Sequence, residues 1–266
     1  MTPKSMPTSP PIPGLTELTP ANLEAFPCCG IKSPAHEGRR RKHGWLKAHF
    51  PLGLCAKAAM ADGGKPCGYI EYLPGEYAWR GVDACGYMFI HCVWVQMKQY
   101  QRKGLGARMV QACIDDARKA AMKGVAVVTR EGPWMAGTAL FQANGFEVAG
   151  AAQPDYRLLV KKFKPTAAPP VFKDDWEKKV RRYGPGLTII CSDQCPHIAK
   201  FVADIAQSAE EDYGIKPNLV ALQSHGEAQN APTPYAVFSL LYHGRVLADH
   251  PISRTRFHNI MKKLEA

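Results

Sequence analysis

Gln101, Arg102, Lys103, Gly104, Leu105, Gly106 and Ala107 stand between an apolar run, Met88 to Val95, and an amphipathic stretch. In that stretch Leu105, Met109, Ala112, Cys113, Ala117 and Ala120 recur at helical spacing. A strand, a glycine turn and a helix start together present backbone N–H groups at a positive helix end, where a pyrophosphate binds. Gly104 and Gly106 have no Cβ to hold the phosphate away from the backbone. Arg102, Lys103 and Arg108 add positive charge around them. The third glycine of a dinucleotide fingerprint is missing, and no Gly-Lys-Ser or Gly-Lys-Thr follows. Taken alone, the hexapeptide from Gln101 to Gly106 reads equally well as a strand-helix turn.

Proton chemistry has two candidates. Glu71 lies among Tyr69, Ile70, Tyr72 and Leu73, where partial burial would raise a carboxyl pKa toward that of a useful base. The alternative is an edge-strand glutamate facing water. His91 lies on the apolar run beside the phosphate segment, as a base or as a hydrogen-bonded core histidine. Thiol chemistry would centre on Cys195, with Pro196 opening a helix whose dipole favours the thiolate. Cys28 and Cys29 are adjacent, and buried small hydrophobes are their default reading.

Of 266 residues, 46% are hydrophobic, which suits one large or two small globular domains. The net charge is +11 and uneven, with 22 Lys+Arg against 12 Asp+Glu in residues 1–165 and 12 against 11 thereafter. A basic first half suits a polyanionic ligand, and no nucleic-acid module accompanies it. The run from Arg39 to His43 reads as the solvated face of a helix. Nine scattered cysteines, without a C-x-x-C pair, point to a reducing, cytoplasmic setting and to no structural zinc. No run reaches membrane-span length. Residues 1–14, rich in Pro, Ser and Thr, read as a disordered tail.

The elements that must position these residues are legible in order. Leu18 to Phe26 and Gly38 to Phe50 read as helices, and two strands flank the Asp62-Gly63-Gly64 turn. Met88 to Val95 is a strand, about Gly104 to Met122 a helix, and Gly124 to Thr129 a buried strand. Thr138 to Asn144 is a helix ended by Gly145, followed by strands at Phe146 to Ala149 and Tyr156 to Phe163. Residues 164–186 carry four prolines and read as a linker with one helical turn. A smaller α/β unit follows over 187–266. Its strands are Leu187 to Cys191, Asn218 to Leu222, Tyr235 to Tyr242 and Arg245 to Asp249, and its helices begin at Pro196 and Ser253.

The segment QRKGLG in this setting resembles the pyrophosphate-cradling motif of the GCN5-related N-acetyltransferase (GNAT) superfamily. With Leu18-Thr19-Pro20-Ala21-Asn22, Tyr69 to Trp79 and His91-Cys92-Val93-Trp94-Val95, the resemblance narrows to its YoaP-like type, over about Leu15 to Phe163. It resumes at Gln194-Cys195-Pro196-His197. The resemblance implies an α/β (α+β) GNAT acyl-CoA fold with a mixed central sheet over 15–163, then a small thioredoxin-like domain over 187–266. Acetyl-CoA is the implied cosubstrate and a small amine the implied acceptor. Val93, Trp94 and Val95 would align the pantetheine arm, and residues 101–107 would hold the pyrophosphate. The position where the family often carries a tyrosine acid holds Phe141. Cys195-Pro196-His197-Ile198 is similar to the glutaredoxin C-P-Y-C pattern without its second cysteine, and Thr233-Pro234 matches the cis-proline position of those folds. The alternative function is a thiol- or metal-handling protein using Cys195 with Cys28 and Cys29, its first domain only binding acyl-CoA.

Overall fold

The computed structural model describes residues 11–265. The disordered-tail expectation for residues 1–14 lies outside them as far as residue 10. Two sheets organise the chain. The first draws on β1 (Leu15–Leu18), β2 (Cys55–Ala61), β3 (Lys65–Pro74), β5 (Met88–Val95), β6 (Gly124–Thr129), β7 (Glu147–Ala152) and β8 (Tyr156–Lys162), with β4 (Val82–Asp83) outside it. Its order is β1-β2-β3-β5-β6-β8-β7, antiparallel except for the β5–β6 pair. Helices α1 (Glu37–His49), α2 (Leu105–Lys119) and α3 (Thr138–Gln142) accompany it.

After β9 (Val171–Phe172) and α4 (Trp176–Arg181), the second sheet is built from β10 (Leu187–Cys191), β11 (Asn218–Ala221), β12 (Phe238–Tyr242) and β13 (Arg245–Ala248). Its order is β11-β10-β12-β13, and only β10 and β11 are parallel. Helices α5 (Ile198–Tyr213), α6 (His225–Gln229) and α7 (Arg254–Glu265) complete it.

The amphipathic stripe predicted for α2 is its buried face: Leu105, Met109, Val110, Cys113, Ile114 and Ala117 pack on Ile70, Tyr72, Ile90 and Val127. Another cluster runs without a break from Phe89, Ala126 and Leu158 of the first sheet to Ile189 and Phe238 of the second and Ile205 of α5. Each fully buried large apolar side chain contributes about 1.5–3 kcal/mol, so a cluster of this kind holds the two sheets together as one packed body.

Several local expectations change. Leu18 to Phe26 is not a helix. Leu15–Leu18 pairs with β2, and Asn22 then ties a turn by accepting from the Thr19 N–H and donating to the Glu17 carbonyl. Only Leu23–Ala25 turns helically, as a 3-10 turn. The 164–186 stretch is tied down, because β9 pairs with β4 and Trp176 of α4 sits against Gly81, where a Cβ would come within 2.5 Å of its ring. The α5 helix begins at Ile198 rather than Pro196. Helix α6, capped by Ser224 accepting from the Glu227 N–H, went unread in the sequence. Thr233–Pro234 is trans; among the described residues the cis peptide bond is at Gln153–Pro154.

Candidate active site

The central geometric fact is a parting of two parallel strands. β5 pairs with β6 only from Met88–Val125 to Ile90–Val127, while on its other side β5 stays paired with β3 as far as Val95. Beyond Ile90, the β6-facing backbone groups of β5 have no strand partner. The same point carries a bulge: Glu71 opposes Cys92 and Tyr72 opposes Ile90, so His91 is the extra residue. Strand pairing that ends at a bulge opens a cleft with free backbone donors and acceptors along one wall.

A cavity of about 670 Å³ occupies that cleft. One end is lined by Val93, Trp94, Val95, Gln101, Gly106 and Phe141. These residues belong to the predicted coenzyme set, and the structure brings them to one cavity. Gln101 donates to the Val95 carbonyl at 3.0 Å, fastening the turn to the strand end. Gly104 has φ +92°, a conformation that glycine reaches at little cost, and it stands just before α2. No side chain caps this helix, and the first intrahelical bond runs from the Arg108 N–H to the Gly104 carbonyl. The N–H groups of Leu105, Gly106 and Ala107 therefore lack helical partners, as an anion site needs. Arg102 and Lys103 are exposed beside them, whereas the Leu105 side chain is buried in the core and offers only its backbone. Phe141 is fully buried, packs edge-on against Phe146 and brings no phenol.

The other end of the cavity is lined by His91, Cys92, Cys29, Trp134, Cys195 and His197, with Met135 beside them. Cys195 and His197 come from the segment before α5, so the second sheet's unit completes the wall. Trp134 stands within 6.4 Å of the His197 ring and 5.1 Å of the Phe201 ring. Trp134 and His197 escaped the sequence reading as site residues. His197 was quoted within a motif, but only the folded chain sets it opposite the parted strands.

Behind the cavity lies a buried ionic network. Glu71 accepts hydrogen bonds from Lys42 and Tyr69 on one oxygen and from Gln194 at 2.7 Å on the other. Gln194 in turn accepts from Arg80, which also donates to the Trp79 and His91 carbonyls. The expectation of a half-buried, available Glu71 is thus corrected: it is fully buried, its oxygens are engaged, and it does not line the cavity. The solvated-face reading of Arg39 to His43 is corrected in part: Arg40 and Arg41 are exposed, the other three are not. Arg39, Lys42 and His43 are buried, because α1 turns them toward the Glu24 and Lys32 carbonyls, Glu71 and the Glu24 carboxylate respectively. Burial opposes the Lys42 charge, but Glu71 overrides it and holds the ammonium above the ordinary lysine range.

His91 is buried with Nε2 accepting the Trp79 N–H at 2.8 Å. Burial, then the charges of Arg80 and Lys42, hold it well below the ordinary histidine range. The neutral ring therefore carries its proton on Nδ1, which makes it a donor rather than a base. The Cys195 thiolate expectation is reversed. Cys195 is half-buried just upstream of α5, and that burial, followed by neighbouring Cys29, pushes the thiol up to about 12. Cys92 is raised well above its ordinary value by burial, and Cys29 by its hydrogen bond with Cys28 and then by burial. Cys191 is pushed up to about 11 by burial. Among the described residues, no three His, Cys, Asp or Glu side chains come together in a way that could hold a metal ion.

Over residues 17–146 the chain matches the acetyltransferase (GNAT) family, and over residues 218–259 it matches the YoaP-like family. The chain carries an acetyltransferase domain followed by a YoaP-like domain, and is an enzyme of the N-acetyltransferase class. The uncharacterized N-acetyltransferase YoaP of Bacillus subtilis (strain 168) is similar to it along almost its whole length, 28% identical over 252 residues, or 93% of this chain and 98% of the relative. Similar solved structures include the ribosomal-protein-alanine N-acetyltransferase of Brucella melitensis, at 19% identity and TM-score 0.42, covering 56% of this chain and 98% of that one. Another is the PaiA N-acetyltransferase of Thermoplasma acidophilum in complex with coenzyme A, at 16% identity and TM-score 0.39, covering 56% and 99%. The fold itself rests on the strand order and the β5–β6 parting.

Proposed function

We propose that the enzyme transfers an acetyl group from acetyl-CoA to an amine on a small molecule, directly within a ternary complex. The observation that carries this reading is the parting of β5 from β6, which leads from an uncapped α2 N-terminus into the cavity. Acetyl-CoA, when bound, supplies an acetyl carbonyl already activated as a thioester. The chain's residues do the rest. The N–H groups of Leu105, Gly106 and Ala107 take the pyrophosphate, with Arg102 and Lys103 adding charge. The free backbone of Val93 to Val95 aligns the pantetheine arm and presents N–H groups to the carbonyl oxygen as charge develops there. Phe141 excludes water. It donates no proton, and none is required, since a thiolate with a pKa near ~8.5 is a tolerable leaving group.

In this reading Glu71 and Arg80 are positioning residues that hold Gln194, and so the Cys195 segment, against the first sheet. The His91 Nδ1–H is buried beside the cavity without a hydrogen-bond partner among the described residues. The chain divides at 15–163, 164–186 and 187–266, and the β11-β10-β12-β13 order supports a thioredoxin-like reading of the last part. Nine cysteines without a disulfide among those described support a reducing, cytoplasmic setting.

A second reading is favoured by one observation: Cys29, Cys92 and Cys195 line the same cavity. A thiol-handling role would put them to covalent use. The two readings part when the chain is incubated with acetyl-CoA alone and weighed by intact mass spectrometry. Direct transfer leaves its mass unchanged. Stable acetylation of Cys195 or Cys92 would overturn the ternary-complex mechanism.

A further inference from the structure

The acceptor end of the cavity holds six side chains able to meet a substrate, namely Cys29, His91, Cys92, Trp134, Cys195 and His197, and no carboxylate lines it among the described residues. The three thiols are held protonated by burial and by one another. Both imidazoles are held neutral, His91 as described and His197 by burial together with the nearby His36. The charges on the surrounding elements do not supply the missing anion. Glu71 on β3 is neutralised by Lys42 of α1, and Arg80 behind it has only neutral acceptors, so this wall is net positive. Arg41 of α1 is paired with Glu37 and Asp193. Glu131, in the loop before α3, accepts the Thr138 N–H and caps that helix.

A protonated alkylamine entering this space would lose its hydration shell without gaining a counter-ion, which low-dielectric surroundings penalise heavily. We infer that the acceptor is a weakly basic amine, of the arylamine or hydrazine class, whose nitrogen is uncharged at neutral pH, and that His197 receives the proton it gives up. This deepens the acetyl-transfer reading above and rests on it. His197 lines the cavity and its ring is held neutral, so one of its two nitrogens keeps a lone pair. The amine nitrogen bonds to the thioester carbonyl carbon as the carbon–sulfur bond breaks. The sulfur leaves with the electron pair as coenzyme A thiolate, and the proton shed by nitrogen passes to His197 and then to that thiolate or to water. No oxidant or metal is called for.

The test uses two isomers, 4-methylaniline and benzylamine, with phenylhydrazine as a third acceptor. Release of coenzyme A is followed with the full chain at saturating acetyl-CoA, and acetyl-CoA binding is measured in parallel by calorimetry. At pH 7 the inference expects kcat/KM for 4-methylaniline to exceed that for benzylamine by about tenfold or more. It also expects the benzylamine rate to climb with pH as free base appears, while the 4-methylaniline rate stays flat. His197→Gln should lower kcat by about a hundredfold with acetyl-CoA affinity unchanged. Benzylamine matching or beating its isomer at pH 7, or coenzyme binding with transfer to none of the three, would overturn the acceptor class and leave the coenzyme site standing. An unchanged kcat in His197→Gln would overturn its role. Failure of acetyl-CoA to bind would instead remove the acetyl-transfer reading, and this inference with it.

Discussion

Glu71 shows how one residue changes meaning between chain and fold. Its neighbours Tyr69, Ile70, Tyr72 and Leu73 announce a strand, and a carboxylate in a buried strand invites a catalytic reading. The partners that occupy it, Lys42 and Gln194, lie 29 and 123 positions away, beyond the reach of any local pattern. Removing one member of a buried pair leaves the other charge uncompensated, which costs about 3–5 kcal/mol. Glu71→Ala should therefore lower Tm by on the order of 10 °C in a thermal melt. Joint replacement of Glu71 and Lys42 by Leu and Met should recover much of that loss, because the Lys42 ammonium is no longer left buried and unpaired. A Glu71→Ala variant with wild-type Tm and abolished turnover would return Glu71 to the role of base. The same limit of local reading explains Cys195. A cysteine before a helix suggests a thiolate, but burial under the first sheet is a tertiary fact.

Among the elements, the regular ones were the most legible. The β5, β6 and β10 strands and the α2 stripe follow from runs and periodicities within a single segment. Their parting does not, because nothing in Met88 to Val95 states where β6 ceases to pair. Helix α1 was placed within a residue at each end, yet its basic run was read as one solvated face, whereas Arg40 and Arg41 face outward and Arg39, Lys42 and His43 face the protein. One close approach fixes this arrangement. Gly38 lies so near the segment before α5 that a Cβ there would stand 1.8 Å from the Pro196 carbonyl oxygen. Gly38→Ala must displace that backbone, at about 1–3 kcal/mol for overpacking. Because the displaced segment carries Cys195 and His197, kcat should fall while acetyl-CoA affinity holds, as α2 is untouched. Steady-state kinetics beside calorimetry reads both, and equal loss of each would refute the division of labour between the two ends of the cavity.

At the scale of the whole molecule, the two sheets act as one body whose seam is partly ionic. Arg130, at the end of β6, joins Asp249 just after β13 at 2.7 Å and Asp155 at 2.6 Å, with its guanidinium 5.0 Å from the Tyr156 ring centroid. Burial alone would raise the Asp249 carboxyl, but hydrogen bonds from His250 and Arg130 outweigh it and bring the value to about 2. A folded value below the unfolded one stabilises at pH above the unfolded value of 3.8, and that stability is lost as pH falls from there through about 2. The contribution is about 2 kcal/mol at neutral pH. Denaturant melts of the parent and of Asp249→Asn across this window should converge at the acid end. Curves that stay parallel down to pH 2 would show that the seam does not depend on this carboxylate.

The central claim is that the parted strands and the α2 N-terminus hold acetyl-CoA, and calorimetric titration of the full chain and of Gly104→Val tests it most directly. Valine at a φ of +92° is strained, and its branched side chain occupies the space a pyrophosphate needs. The account predicts that acetyl-CoA binds the parent with Kd below about 1 mM and one site per chain, and that the variant loses about tenfold or more in affinity while retaining a cooperative melt. A parent that takes up no acetyl-CoA, or a folded Gly104→Val that binds it equally well, would contradict the account.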